Sequence, residues 1–391
     1  MVQAMSLFNQ LLQQFPSLEF AALVKKHNAE RGAKGFGCRT QMVAMLFCQL
    51  AHADSLREIC NGLACCVGKL LHLGVSVAPN KSSLAYANEH RPAELYEELF
   101  YTALGRFRDG GALGVRKRKF RFKNKLLSLD STTMSLCLEM FPWAKFRRAK
   151  GGVKAHVLLD HDDYLPRYVL ITEAKRSDVK MAAAVPLNPG SIVAIDRGYN
   201  DYALFSRWTA EEIYFVTRLK DNAAYEVVEE CAVPANRNIR SDQLIHFSGE
   251  KAKQDCPCLL RRLVVWDAVN QRVIVLLTNL LAFGATTIAA IYKDRWEIEL
   301  FFKALKQNLK VKSFVGTSQN ALRIQIWTAL LTMLLLKWLH HLSHAKWSLS
   351  NLASMLRMNL FTYRDLTAWL DNPFGTPPII PDSQQLTLGL A

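Results

Sequence analysis

Apolar residues recur at helical spacing from about Ser6 to Leu104, as in QMVAMLFCQLAHADSLREICNGLACCVGKLLHLG and PAELYEELFYTALGRF, which predicts an all-helical N-terminal region. Inside it the pattern predicts a capped helix, a break near Gly74, a turn at Pro79-Asn80 and a second short helix from Ser82 or Ser83. Past the glycine-rich DGGALG the period changes. KLLSLDSTTMSL and VKAHVLLDHDDYLPRYVLITEA read as strands, the latter folded back through a hairpin turn at His161-Asp162-Asp163. A helical piece around Met181 to Val185 precedes a buried strand in SIVAIDRGYND. Between about Trp208 and Leu280 the runs EIYFVTRL, AYEVVEECAV, LLRRLVVWD and RVIVLLTNL are strand-like again. A helix with a strong apolar face follows in YKDRWEIELFFKALKQNLK. The longest apolar run, Ile326 to Leu336, is closed by Lys337 and falls short of the ~20 residues of a membrane span, so it reads as a buried core helix.

These patterns predict an α/β protein with three parts. Residues 1–112 form a helical domain. Residues 113–345 form a mixed-sheet domain carrying a β-rich insertion at about 208–280, and residues 346–391 a C-terminal segment with a proline-rich tail, NPFGTPPIIPD, that is a candidate for dimerisation.

Charge narrows the partners. The chain of 391 residues holds 49 Lys+Arg against 34 Asp+Glu, a formal net charge of +15, which favours a polyanion such as nucleic acid, although a merely basic soluble enzyme has the same balance. The surplus is concentrated in RKRKFRFKNK, where Arg116, Lys117, Arg118 and Lys119 open a run suited to a phosphate backbone, with Phe120 and Phe122 as anchors. A solvated basic edge strand is the plainer reading. Lys81, Ser82, Ser83, Asn88 and His90 would face DNA if residues 55–90 form a helix-turn-helix; an ordinary helical bundle explains the same pattern. The nine cysteines are irregularly spaced with no CxxC pair, which reads as reduced thiols in the cytoplasm. The N-terminus lacks the basic start and continuous apolar stretch of a secretory signal, so no membrane partner is expected.

Three carboxylates stand out. Asp130 in SLDSTT and Asp196 in AIDRGYN end short apolar runs, where strands deliver side chains to a sheet edge; an aspartate there is also a common turn residue. On the helix from residue 292, Tyr292, Arg295, Glu299 and Lys306 share one narrow arc beside the apolar face of Ile291, Ile298, Phe301, Phe302, Leu305 and Leu309. That row is either an exposed set of ion pairs (Arg295 with Glu299, Glu299 with Lys303) or a boundary row able to hold a carboxylate rigidly near a metal. Three dispersed carboxylates on two strands and a helix suit a pair of divalent ions in phosphoryl transfer, and oxygen donors select Mg²⁺ or Mn²⁺ over zinc. Zinc sites at Cys256, Cys258 and His246, or at His340, His341 and His344, have no common spacing. Trp143 and Trp266 are candidates for stacking on a base and better candidates for buried structure.

Tyr292, Arg295, Glu299 and Lys306, spaced Y-x2-R-x3-E-x6-K, resemble the signature of bacterial DDE transposases of the insertion-sequence-four family. SLDSTT and AIDRGYND resemble its two aspartate motifs, with 66 positions from Asp130 to Asp196 and 103 from Asp196 to Glu299. TEAKRSD, FVTRLK and LLTN agree, and Asp178 matches a further family position. The resemblance spans roughly residues 5–345. It implies an RNase H-like catalytic core with a β-rich insertion and a helical DNA-binding domain in front. It further implies metal binding by Asp130, Asp196 and Glu299 (two Mg²⁺, with Mn²⁺ able to substitute) and phosphate contacts from Tyr292, Arg295 and Lys306. The expected activity is cut-and-paste transposition: binding of terminal inverted repeats, cleavage and strand transfer into target DNA by a homodimer acting on the bacterial nucleoid. An RNase H-like nuclease or resolvase, or a non-catalytic DNA-binding regulator, are the rival readings.

Overall fold

The computed structural model describes residues 5–66, 69–109, 119–147, 150–235 and 237–379. The chain divides into two compact units, residues 1–114 with 303–391, and residues 115–302.

The first unit begins with six helices: α1 (Leu7–Gln13), α2 (Ser17–Lys26), α3 (Cys38–Ala51), α4 (Leu56–Ala64), α5 (Lys81–His90) and α6 (Glu94–Asp109). Local sequence sets their starts. Ser55 caps α4 by accepting from the Glu58 amide at 3.1 Å, while the Glu58 carboxylate accepts from the Asp54 amide at 2.8 Å, a reciprocal cap. The break at Gly74 is a left-handed residue with φ +75°, and α5 starts at Lys81 because Asn80 caps it through the Ser83 amide at 2.7 Å.

The second unit is built on one ten-stranded sheet. Its strands are β1 (Leu126–Leu136), β2 (Lys145–Arg147), β3 (Lys150–Asp160), β4 (Leu165–Glu173), β5 (Ile192–Ile195), β6 (Tyr214–Arg218), β7 (Tyr225–Glu230), β8 (Ile239–Phe247), β9 (Leu260–Asp267) and β10 (Arg272–Thr278). Helices α7 (Asp178–Ala182), α8 (Tyr202–Ala210), α9 (Glu250–Asp255), α10 (Ala285–Asp294) and α11 (Trp296–Asn308) complete it, α11 running on past residue 302. β4, β3 and β1 form an antiparallel meander, and β5 and β6 follow β1 in parallel, the order β4-β3-β1-β5-β6 of an RNase H-like core. The insertion continues the same sheet through β10, β9, β8 and β7, all antiparallel. It therefore starts after Arg218 rather than near Trp208, because α8 and β6 belong to the core. The strand β8 has no clear alternation and escaped the sequence reading.

Alternation along the two central strands fixes the faces. Leu127, Leu129, Val193 and Ile195 join one core with α8 (Phe205, Trp208), whereas Leu126, Ile192 and Ala194 join the other with Ile288 and Ile291 of α10. Phe120 and Phe122 stack at 5.1 Å and pack against this second core, so they anchor the entering chain inside the protein rather than on a partner.

The remaining helices, α12 (Gln319–Leu342), α13 (Leu349–Asn359) and α14 (Leu366–Asp371), belong to the first unit. α12 is long and apolar enough to cross a membrane by length and composition, and 83% of its most apolar window is buried inside the protein. It packs against α3, α5, α6 and α13. Its buried Gln325 is satisfied through Lys310 O and Ser313 O at 2.8 Å each. The far end of the chain returns to α1, where Leu7 donates to Thr362 O at 3.0 Å. Residues 303–379 thus pack with the N-terminal helices, a division that differs from the sequence reading. An all-round apolar helix needs cover on every side, and the N-terminal helices supply it. Of the proline-rich tail, residues 380–391 lie outside the described residues.

Candidate active site

Asp130 and Asp196 are neighbours by register. Leu129 pairs with Ile195 in parallel strands, and the two aspartates come next, Asp130 on β1 and Asp196 just beyond β5. Both continue the alternation of Leu126 and Ile192, which directs them to the α10 face of the sheet.

The expected single helix is broken. α10 ends at Asp294, α11 starts at Trp296, and Arg295 forms the joint with φ −50° and ψ −29°. The Ile298 amide bonds Arg295 O, three residues back, a tightened turn that changes the helix phase without proline or glycine. The polar row survives this change in part. Arg295 stands over the Tyr292 ring at 5.6 Å, and its Nη1 lies 3.5 Å from both Asp130 Oδ2 and Glu299 Oε1. Arg295 is buried and Glu299 half-exposed, so the exposed ion-pair row does not describe it.

Charge in this cluster is under-compensated. Burial, together with the negative charges of Glu299 and Asp196, pushes the Asp130 carboxyl up to about 7, against the opposing Ser131 amide and Arg295. Burial pulls the Arg295 guanidinium down, but Tyr292, Asp130, Asp196 and Glu299 together hold it above its ordinary range. Burial also raises the Tyr292 phenol, assisted by Asp196 and opposed by Arg295 and Arg218. The Tyr199 hydroxyl is buried, and burial with the nearby aspartates Asp130, Asp178 and Asp196 raises it strongly, against the opposing Ser131 hydroxyl.

The donor chemistry fits a hard divalent cation: three carboxylates, no thiolate, and an excess of negative charge held in a buried place. Among the described residues no three His, Cys, Asp or Glu side chains already converge as a cage. Arg295 supplies the positive charge between Asp130 and Glu299.

Other predicted residues fall elsewhere. Lys306 lies on α11 seven residues after Glu299 and belongs to the first unit. Asp178 is engaged by Lys154 at 3.1 Å and Ser131 Oγ at 2.8 Å, which gives it a structural ion pair beside β1. Lys119 is paired with the buried Asp294. Arg116, Lys117 and Arg118 lie outside the described residues. Lys81 and Ser82 are exposed at the start of α5, but Asn88 is buried and bonded to Gln41 at 2.9 Å, so the DNA-facing set suggested for that helix loses it. Arg240 covers the Trp266 ring at 4.3 Å. Trp296 is 58% exposed immediately beside Arg295; a large aromatic left in water next to a buried charge has no sequence signal and is visible only once the helix break is known.

A sheet of this order, with acids from two central strands and a following helix gathered round one arginine, defines an RNase H-like class of protein. A family model described as a transposase DDE domain matches residues 121–335, more than half the chain, and one described as a domain of unknown function (DUF4372) matches residues 3–76. A Sinorhizobium fredii protein named as transposase y4zB is 30% identical over 313 residues, 79% of this chain and 84% of its own. Two further relatives are named as transposases for insertion sequence elements. That for IS5377 of Geobacillus stearothermophilus is 31% identical over 57% of this chain and 59% of its own; that for IS4SA of Synechocystis is 25% identical over 66% and 71%. Among solved structures, a piggyBac transposase synaptic complex with hairpin DNA matches with a TM-score of 0.45 at 11% identity, covering 92% of this chain and 80% of that one. The chain belongs to the DDE transposases.

Proposed function

We propose that this transposase cuts and joins DNA with Asp130, Asp196 and Glu299 as its metal ligands. The observation that supports this best is the cluster itself: three acids from β1, the end of β5 and α11 lie in one another's field, with Arg295 Nη1 3.5 Å from two of them. Two divalent ions, Mg²⁺ with Mn²⁺ able to substitute, would supply Lewis acidity for the attacking and leaving oxygens. The protein's own residues do the rest. Asp130 must lose its proton before it can act as a ligand. Arg295 and Tyr292 orient a scissile phosphate against the acids, and Lys306 holds the DNA backbone further along α11. Water is the first nucleophile, breaking the P–O3′ bond at the element's end, and the freed 3′-hydroxyl is the second, attacking a phosphodiester of the opposite strand or of target DNA.

The partners in this reading are double-stranded DNA, both terminal repeats and target, and a second copy of the chain that brings two ends together in the bacterial cytoplasm, on the nucleoid. Residues 1–112, with Lys81 and Ser82 and the run Arg116 to Arg118, supply end binding, Lys119 being taken by Asp294.

The test uses purified protein, a DNA fragment carrying the gene's native flanks, and Mg²⁺, comparing wild type with Glu299→Gln. Cleavage at the element boundaries that the variant loses, by at least about 100-fold, is the expected result. Cutting without regard to the boundaries would favour a general nuclease, and binding without cutting a regulator.

A further inference from the structure

A second buried cluster stands beside the acids, and the transposase reading does not use it. His161, in the turn between β3 and β4, is bonded on both sides of its ring: Nε2 to Ser128 Oγ at 2.6 Å and Nδ1 to Asp294 Oδ2 at 2.6 Å. The other Asp294 oxygen takes the Lys119 ammonium, and Tyr164 OH approaches Oδ2 at 3.5 Å. Burial pushes the Asp294 carboxyl up, but the bonds from His161 and Lys119 overcome this and hold it below its ordinary range. A carboxylate only accepts, so Nδ1 carries the proton, and in the neutral ring Nε2 accepts from the Ser128 hydroxyl. The arrangement copies the order of a hydrolase triad, yet Ser128 is wholly buried, and no substrate reaches its oxygen.

Its position gives it a different task. Ser128 and Asp130 are two residues apart on one face of β1, about 7 Å along the strand. Asp294 and Arg295 are adjacent at the joint between α10 and α11. Two rungs therefore run side by side from β1 to that joint: Ser128–His161–Asp294, short and fully bonded, and Asp130–Arg295, loose at 3.5 Å. The His161 backbone amide also donates to Leu126 O at 3.1 Å, tying the turn itself to β1.

We propose that His161 is a positioning residue: the tight rung fixes the helix joint against β1 and so sets where Arg295 stands between Asp130 and Glu299. This rests on the proposed catalytic role of those acids. A ladder in series has a distinctive signature, because once one link is broken a second break in the same link costs nothing more. Ser128→Ala and His161→Asn both remove the Ser128 bond, the latter keeping an amide where Nδ1 faces Asp294.

With wild type cutting its own ends, each variant should slow cleavage about tenfold at saturating DNA and metal, leave end-DNA affinity unchanged, and combine in the double variant with no further loss. Full rates in both variants, a multiplied loss in the double, or losses that follow falling DNA affinity or melting temperature would overturn the proposal. A second readout does not depend on cutting: the ¹⁵N-labelled Nε–H signal of Arg295, assigned with Arg295→Lys, should shift alike in both variants. If the wild type fails to cut, the transposase chemistry is what fails; an unmoved Arg295 signal would sink the ladder on its own.

Discussion

Arg261 and Arg295 are both 8% exposed, both in the sheet unit, and held in opposite ways. Arg261 on β9 grips Asp242 of β8 with two parallel bonds of 2.7 and 2.6 Å, and its remaining donors reach the Leu281 and Phe283 carbonyls. Its pair is a closed fork that joins the insertion to the loop leading into α10. Arg295 has no contact shorter than 3.5 Å to the acids it serves, and its Nε is buried without a partner among the described residues. Burying a guanidinium is costly unless its donors are met. Arg261 meets that condition with protein groups alone, whereas Arg295 meets it only in part. A charge left incompletely met inside a folded protein marks a candidate binding place, and it is here that the proposed phosphate and metal would sit.

The largest expected effects separate the two arginines. Arg261→Met strands the Asp242 carboxylate, which is 0% exposed, and should cost about 3–5 kcal/mol in denaturant unfolding. Arg295→Met removes only long contacts and should cost about 1 kcal/mol or less while lowering end cleavage by about 100-fold or more. Equal destabilisation by the two would mean that Arg295 is a structural pair like Arg261, and the contrast would collapse.

A smaller effect concerns the acid that Arg295 serves. Asp130 has its carboxyl raised to about 7 in the folded state, mainly by burial, so between about pH 4 and 7 the folded chain holds a proton that the unfolded chain has released. The stabilisation from that proton is complete below about pH 4 and is lost as pH rises through about 7, up to about 4 kcal/mol. In EDTA, the melting temperature of wild type should therefore fall relative to Asp130→Asn over that window. If the wild type and Asp130→Asn curves run parallel, the acids are already compensated.

The two arginines also mark what the sequence could reveal. Asp130, Asp196 and Glu299 were legible because each ends a short apolar run or sits at fixed spacing on a helix, and strand register then brings the first two together. Arg295 was legible as a member of a row, but not as a buried joint, because the break between α10 and α11 has no proline or glycine to announce it. The Asp242–Arg261 pair was hidden because β8 shows no alternation. The rung through Ser128, His161 and Asp294 was hidden for a deeper reason: its three residues are separated by 33 and 133 positions and meet only through the fold. The membership of α12 in the N-terminal unit was likewise unreadable, since an all-apolar helix does not say which faces cover it.

The smallest effect falls on Lys306, a half-buried cation on the same helix as Glu299. Arg261 is spent on a protein acid, and Arg295 stands between Asp130 and Glu299. Lys306, meeting a DNA phosphate in the proposed reading, contributes by releasing counterions, so its share of the affinity depends on salt. Lys306→Ala should weaken binding to all DNA sequences alike and lower the slope of log affinity against log salt by about 1. Lys306→Arg keeps the charge and should keep the slope. A salt titration in which Lys306→Ala matches wild type would leave the phosphate to other residues. A change in slope confined to the element's own ends would instead assign Lys306 to end recognition.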